Sequence, residues 1–548
     1  MDAGIGIIAL PLAVFGPIDW GIVGAYFALM IYMGVVAARK DQDTKEYFLA
    51  HRSMPTWAVA LSIVATSLSA ATFVSVPDLA FVGNISYLSL YIGALISVVI
   101  VSILFVPRLY RAGTVTIYGY IDQRFGEGAR IAISAAFLVG RMLASGARLF
   151  IAAIPLCLLM FSTPKPSHGQ LIVAICIIGL VGTFYTSFGG IRTVIWIDTI
   201  QFAIVMGAAI MSVIVLLHAI PLSMSQILQV LGEPASGKGG HSKLFFLNTT
   251  WDVTQPYTIW AVILGYTFLS VASYGVDQDL AQRFLVAKSI GRGAMSLIWS
   301  QIISIAVVAG FLAIGLLLYI FYQRPDLMGA HVGVNPPSDV SVYPWFLLNQ
   351  MPTIVSGIAM AGFFAIAQGS MDSAINALAS SAVADVYLPL RRRASRGEDA
   401  SQNTALPKLA VALMGLLMTG LGIICVFCYD PKSHTLIDFA LGVMTFAFTG
   451  MLAVFLTALL TRRGNTASVI AALLVGIIAV LLMQDSILAT WTAKLFGHPI
   501  KLAWTWWTPI GTIMAMAVCV SGRPSKSDRL QTPEIGENDA VHRDQARA

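Results

Sequence analysis

The chain has 548 residues, is 57% hydrophobic and only 11% charged, and carries a formal net charge of +6. A soluble domain holds about twice that charged share, and apolar runs of about 20 residues, each long enough to cross a bilayer as a helix, recur along almost the whole length. A soluble domain is thereby excluded, and the scatter of basic residues among loops, with no single patch, argues against a nucleic-acid partner.

Thirteen spans are expected, near 18–38, 56–80, 84–108, 131–161, 169–188, 191–218, 257–284, 291–322, 353–387, 406–429, 436–461, 466–483 and 503–521. Ahead of them, residues 4–17 are apolar but lack the basic stretch of a cleavable signal peptide. The second span reads LSIVATSLSAATFVSV, with Thr66, Ser67, Ser69 and Thr72 packed together and Pro77 following. β-branched and hydroxyl residues weaken a helix. The fourth span holds Arg141 and Arg148, close to one face and deeper than snorkelling needs. Two such arginines are costly unless paired or solvated, and Asp198, Asp277, Asp372 or a bound anion could serve. Asp198 lies about two turns into the sixth span, in FGGIRTVIWIDTIQ, as an ion ligand or as a helix-end carboxylate paired with Arg192.

The seventh span, LSVASYGVDQDLAQRF, sets Gly275 among Ser270, Ser273, Tyr274, Asp277 and Gln278. Polar, small-residue-rich spans at the second and seventh places are the pattern of a transporter built from inverted repeats around a midplane site. The ninth span contains FAIAQGSMDSAINALASSAVADVY, Phe364 to Tyr387. An aspartate at the bilayer centre costs about 3 kcal/mol on insertion scales, so something must compensate Asp372. On a helical wheel Gly369, Ser370, Ser373, Ala377, Ser380 and Ser381 share one face, Asp372 and Asn376 flank it, and Met371, Ile375, Leu378 and Ala382 lie opposite. A stripe of hydroxyl and carboxylate oxygens suits a hard cation such as Na⁺. Serines alone would also serve close helix packing. The expected compensation is a bound cation and a water-accessible cavity.

With the N-terminus outside, 24 of the 33 Lys and Arg fall on the inner side and 7 on the outer side, Arg141 and Arg148 lying within a span. That asymmetry predicts an N-out, C-in topology. Arg283 is counted with the inner set. The outer loops near 219–256 and 323–352 have room for short surface helices. The tail, 522–548, is polar and expected to be disordered. The five cysteines lie in apolar runs, and the Cys425/Cys428 pair lacks a second pair or a nearby histidine that would complete a metal site.

These stretches together resemble the sodium–solute symporter family, from IDWGIVGAYFALMIYMGVVAARKDQDTKEYFLAHRSMPTWAVALSIVATSLSAATFV to TRRGNTASVIAALLVG. FGGIRTVIWIDTIQ is similar to its fifth core helix, GVDQDLAQRFLVAKS to the sixth and GSMDSAINALASSAVADVY to the eighth. The resemblance implies an all-α polytopic membrane protein of LeuT-type fold. Two inverted five-helix repeats, about 56–218 and 257–461, sit in one transmembrane domain, 1–521, with peripheral helices. It also implies a multi-pass protein of the cell membrane, with sodium as coupling ion, no other cofactor and no metal but sodium. Its partners are a small organic solute and the lipid bilayer, with the oligomeric state left open. Carried over by motif, one sodium would be held by the carbonyls of Ala65, Leu68 and Ile366 together with Gly369 and Ser370. Relatives have serine where this chain has Gly369, so one hydroxyl is missing. A second sodium would map to Asp198, Asp372 and Ser373.

The leading reading is a sodium-coupled symporter that imports a solute, and not an enzyme, since no nucleophile motif or metal cluster lies among the spans. A symporter-like sensor, a proton-coupled transporter and a sodium/sugar symporter are the alternatives. The short tail argues against the sensor. Sugar-transporting relatives have a glutamine where this chain has Thr72 and a lysine on the seventh core helix, where SQIISIAVVAGFLAIG has none. Ser67, Ser69 and Thr72 resemble the hydroxyl set of sialic-acid-transporting members, and VGRMLASGAR their third core helix, where an arginine meets the substrate carboxylate. The expected solute is carboxylate-bearing, such as sialic acid, a monocarboxylate or an amino acid. Its contacts are expected at Ser67, Ser69, Thr72, Arg141, Ser273 and Tyr274, with Arg141 on the negative group.

Overall fold

The structure is a computed structural model that describes residues 15–37, 44–161, 163, 165–234, 240–329, 335–337, 340–394, 405–428 and 436–523. Most of the apolar run at 4–17 and the tail beyond 523 lie outside the described residues. The architecture is helical, and among the described residues only isolated bridges, such as Met54 with Ala287, take β pairing.

The long elements are α1 (Pro17–Ala37), α2 (Thr56–Ser67), α3 (Ala70–Val82), α4 (Leu90–Leu104), α5 (Glu127–Phe161), α6 (His168–Ala219), α7 (Thr267–Gly275), α8 (Gln278–Leu285), α9 (Ile290–Gln323), α10 (Val355–Ser381), α11 (Ala405–Cys428), α12 (Leu436–Leu460), α13 (Thr466–Leu482) and α14 (Trp507–Ser521). Each expected span coincides with one of these or with a broken pair. The fifth and sixth spans run together as α6 and are divided at Gly190, whose φ of 58° an L side chain would resist. Short helices lie in the loops near 219–256 and 323–352, at Met224–Gly232, Pro325–Met328 and Val342–Asn349.

Both polar spans are broken. The second bends by 67° between α2 and α3. Leu68 (ψ 146°) and Ser69 (φ −140°) are extended there. Ser69 and Thr72 form a capping box that starts α3. The seventh breaks between Gly275 and Gln278, where the Asp277 carboxylate caps α8 by accepting from the Asp279 N–H at 2.9 Å.

α10 lies at the centre. Nearly all of its residues are buried, so neither its polar face nor the Met371 face lies on the surface. It packs along α6, where Gly362 allows close approach: a Cβ there would lie 2.8 Å from the Ala208 Cβ. Its N-terminus is anchored by buried Asp19 of α1. Asp19 Oδ1 accepts from the N–H of Ile354 (2.9 Å) and Gly357 (3.0 Å) and from the Ser356 hydroxyl (2.8 Å).

Candidate functional site

A cavity opens between the two broken spans, α4, α5 and α9. Ser67, Ser69, Thr72, Arg141, Ser273 and Tyr274 all line it. Arg148, Gln301, Tyr87 and Tyr91 line it as well, and the sequence reading had not assigned these to the solute. Gln301 sits in the SQIIS segment of α9 and donates to the Tyr274 hydroxyl.

The two arginines of α5 differ in their surroundings. Arg141 is 2% exposed and both of its terminal nitrogens are paired at the start of α8, Nη1 with Asp277 Oδ2 at 2.9 Å and Nη2 with Asp279, while its Nε has no partner. Arg148 is half-buried, and its recorded polar partner is the Met444 Sδ at 3.1 Å. Among the described residues it forms no ion pair. Of the two guanidiniums in the cavity wall, the one expected to meet the substrate is already neutralised, and the other is not.

Arg283 was read as an inner-loop residue, but its side chain is fully buried. Nη1 pairs with Asp279 Oδ1 at 2.8 Å and Nη2 with Asp198 Oδ2 at 3.1 Å. Nε donates to Ser62 Oγ at 2.9 Å, and Nη2 also donates to Ser373. The fork of the guanidinium thus joins three elements, α2, α6 and α10, to its own helix, which the point charge of a lysine could not do. Asp198 is therefore paired with Arg283 and not with Arg192.

The three residues of the expected second sodium site come out unequally. Asp198 and Ser373 share Arg283, while Asp372 turns to α6 and accepts from the hydroxyls of Tyr185 and of Thr186 (2.9 Å). The compensation for Asp372 in this structure is supplied by protein hydroxyls. A buried carboxylate needs donors of this kind. Ser373 also bonds back to the Gly369 carbonyl at 2.6 Å and touches Thr66 Oγ1 at 3.1 Å.

The first set gathers at the α2–α3 break. An unbroken helix would send the Ser69 N–H to the Ala65 carbonyl and the Thr72 N–H to that of Leu68. Here Ser69 N–H donates to Thr72 Oγ1 (3.4 Å) and Thr72 N–H to the Ser69 carbonyl (2.9 Å), so both carbonyls lose those partners. Gly369 faces this break across α10, a Cβ on it lying 3.8 Å from the Ala65 carbonyl. Ile366 and Ser370 are buried on the same helix, and the Ser370 hydroxyl turns back to the Ala367 carbonyl at 3.1 Å.

Residues 47–476 match the model of the sodium:solute symporter family. The chain belongs to the sodium:solute symporter family. Among its relatives in that family is the sodium/sialic acid symporter SiaT of Proteus mirabilis (strain HI4320), 26% identical over 536 residues, covering 96% of this chain and 99% of the relative. Human sodium-coupled monocarboxylate transporter 1 is 28% identical over 374 residues, 68% of this chain and 57% of the relative. A solved substrate-bound, outward-open Na⁺-coupled sialic acid symporter shares the fold, with a TM-score of 0.75 at 24% identity, over 95% of this chain and 99% of that one. Mhp1, a nucleobase-cation-symport-1 family transporter, matches with a TM-score of 0.53 at 13% identity, over 88% of this chain and 97% of that one. The family fold is accordingly of the LeuT type, and the family and the relatives found are transporters.

Proposed function

We propose that this symporter carries a carboxylate-bearing solute inward with sodium, by alternating access around the cavity between the two broken spans. The observation that carries the reading is Arg148, a guanidinium in the cavity wall with a sulfur as its recorded partner. A planar fork offers a carboxylate two parallel hydrogen bonds, and the hydroxyls of Ser67, Ser69, Thr72, Ser273 and Tyr274 stand ready for a polyhydroxylated or amide-bearing body. The likeness to sialic acid and monocarboxylate transporters supports the same class. Arg148 replaces Arg141 as the residue for the negative group, because Asp277 and Asp279 already hold Arg141.

The coupling ion is sodium. Three guanidiniums (Arg141, Arg148, Arg283) face four carboxylates (Asp198, Asp277, Asp279, Asp372) in this region. With all of them ionised one negative charge is left over, which a single Na⁺ balances before the anionic solute arrives with one more. Arg283 stands between Asp198 and Ser373 as a tethered cation where a second sodium would go. The chain is read as one transmembrane unit with repeats near 56–218 and 257–461. It lies in the cell membrane with the N-terminus outside, on the strength of the basic residues of the inner loops.

Uptake by proteoliposomes, screened over labelled sialic acids, monocarboxylates, amino acids and neutral sugars, tests this. Uptake of an anionic solute in sodium buffer and its loss in choline buffer are expected. Equal uptake in potassium or choline buffer under a proton gradient overturns the sodium assignment. An uncharged preferred substrate removes Arg148 from its role.

A further inference from the structure

The space beside Gly369 is lined by three oxygens that receive no proton. A Cβ built on Gly369 would lie 2.8 Å from Gln201 Oε1, 3.6 Å from Asp198 Oδ1 and 3.8 Å from the Ala65 carbonyl oxygen. The side chains of Asp198 and Gln201 are 0% and 1% exposed, and neither of these two oxygens has a hydrogen-bond partner. The Ala65 carbonyl has lost its helical N–H at the break.

The rest of each side chain is committed elsewhere, which aims the open oxygens inward. Asp198 Oδ2 accepts from Ser62 Oγ at 2.5 Å and from Arg283 at 3.1 Å, leaving Oδ1 toward Gly369. Gln201 Nε2 donates to the Tyr26 hydroxyl at 3.0 Å, which in turn donates to Gln368 Oε1 at 2.8 Å. With the amides so placed, Gln201 Oε1 lies on the other side, toward Gly369, and Gln368 Nε2 is left without an acceptor. A buried acceptor without a donor costs about 1–3 kcal/mol, and more when it is charged. Three convergent oxygens with no donor among them make a ligand set for a hard monovalent cation.

We propose that Gln201 Oε1 and Asp198 Oδ1 complete the sodium site beside Ala65, in the coordination place left by the hydroxyl that Gly369 lacks. The inference rests on the sodium reading above. Asp198 then serves two cations at once, the ion through Oδ1 and Arg283 through Oδ2, and so belongs to the first site and not to a second. Glycine at 369 leaves the room that the amide oxygen occupies. A serine there would crowd Oε1 at 2.8 Å.

The test uses the full chain, purified in lipid nanodiscs without solute. Binding of radioactive sodium and sodium-dependent thermal stabilisation are read at constant ionic strength against potassium. The parent should bind sodium saturably; a parent that binds none sinks the sodium reading itself. Gln201→Leu should weaken sodium binding roughly tenfold or more. Adding Gly369→Ser to it should restore much of the loss, because a hydroxyl returns an oxygen to space that the amide has vacated. Gln201→Asn, which keeps the amide but withdraws it by one carbon, should fall in the same direction and serves if the leucine variant does not fold. A parent that binds sodium while either Gln201 variant matches or exceeds its affinity overturns the inference and leaves the sodium reading standing. In that case the amide merely plugs the space.

Discussion

The two broken spans do opposite things with their breaks. At α2–α3 the chain parts among hydroxyl residues and carries no charge, so backbone carbonyls and small hydroxyls are left open to a guest. At α7–α8 it parts at Asp277, and the polar turn that follows carries Asp279 and Arg283, all 0% exposed. These groups satisfy one another and Arg141, and they reach Asp198 on α6. The first break is a receptor surface and the second a staple. An interrupted helix in a membrane thus signals a site only when its freed groups are left without protein partners; otherwise it signals a joint.

The largest expected effect is on the staple. Arg283→Gln would leave Asp198 and Asp279 buried without their shared cation, and removing one member of a buried pair costs about 3–5 kcal/mol. Thermal unfolding in detergent, read in potassium buffer, should fall sharply, and Arg283→Lys should rescue it only in part. Arg141→Gln should behave like Arg283→Gln. A stable Arg141→Gln protein with a selective loss of solute affinity would erase the contrast between the two breaks.

On the receptor side, Arg148→Gln should leave folding near parental and lower the affinity for an anionic solute by roughly a hundredfold, the loss of a charge-assisted bidentate contact. Sodium binding without solute should change little. Equilibrium binding of labelled solute by scintillation proximity measures this. A smaller effect is expected for Ser69→Ala. It removes one wall hydroxyl and half of the α3 capping box, worth about 1 kcal/mol, so solute affinity and melting temperature should both drop modestly.

The smallest effect lies outside both breaks. Lys243, in the loop after α6, is buried, donates to the carbonyls of Ala80 (3.3 Å) and Phe81 (2.5 Å) at the end of α3, and lies over the Tyr319 ring. Burial pulls its ammonium down to about 8. The unfolded chain keeps the ordinary value near 10.4 and therefore binds more protons between these limits. Stability should rise as the pH climbs from about 8 to about 10.4 and should be lost again as it falls. Lys243→Met should flatten that slope in a thermal-shift series; an unchanged slope assigns it to other groups.

Hydropathy and small-residue clusters by themselves determined the succession of apolar helices, the places where two of them break and the polar face of α10. These are local properties: a bilayer selects long apolar helices whatever they pack against, and serine, threonine and glycine weaken a helix wherever they stand. The resemblance to the symporter family likewise rests on motifs that are short and contiguous. Which charge meets which partner was decided only by tertiary structure. Arg141 and Arg148 are equivalent on a helical wheel, and only the approach of α8 neutralises the first and spares the second. Arg283 reads as one more inner-loop cation until the chain folds it under α2 and α6. Gln201 stood in a quoted motif without a role, because an oxygen left without a donor is a relation between helices, and no spacing along one of them records it.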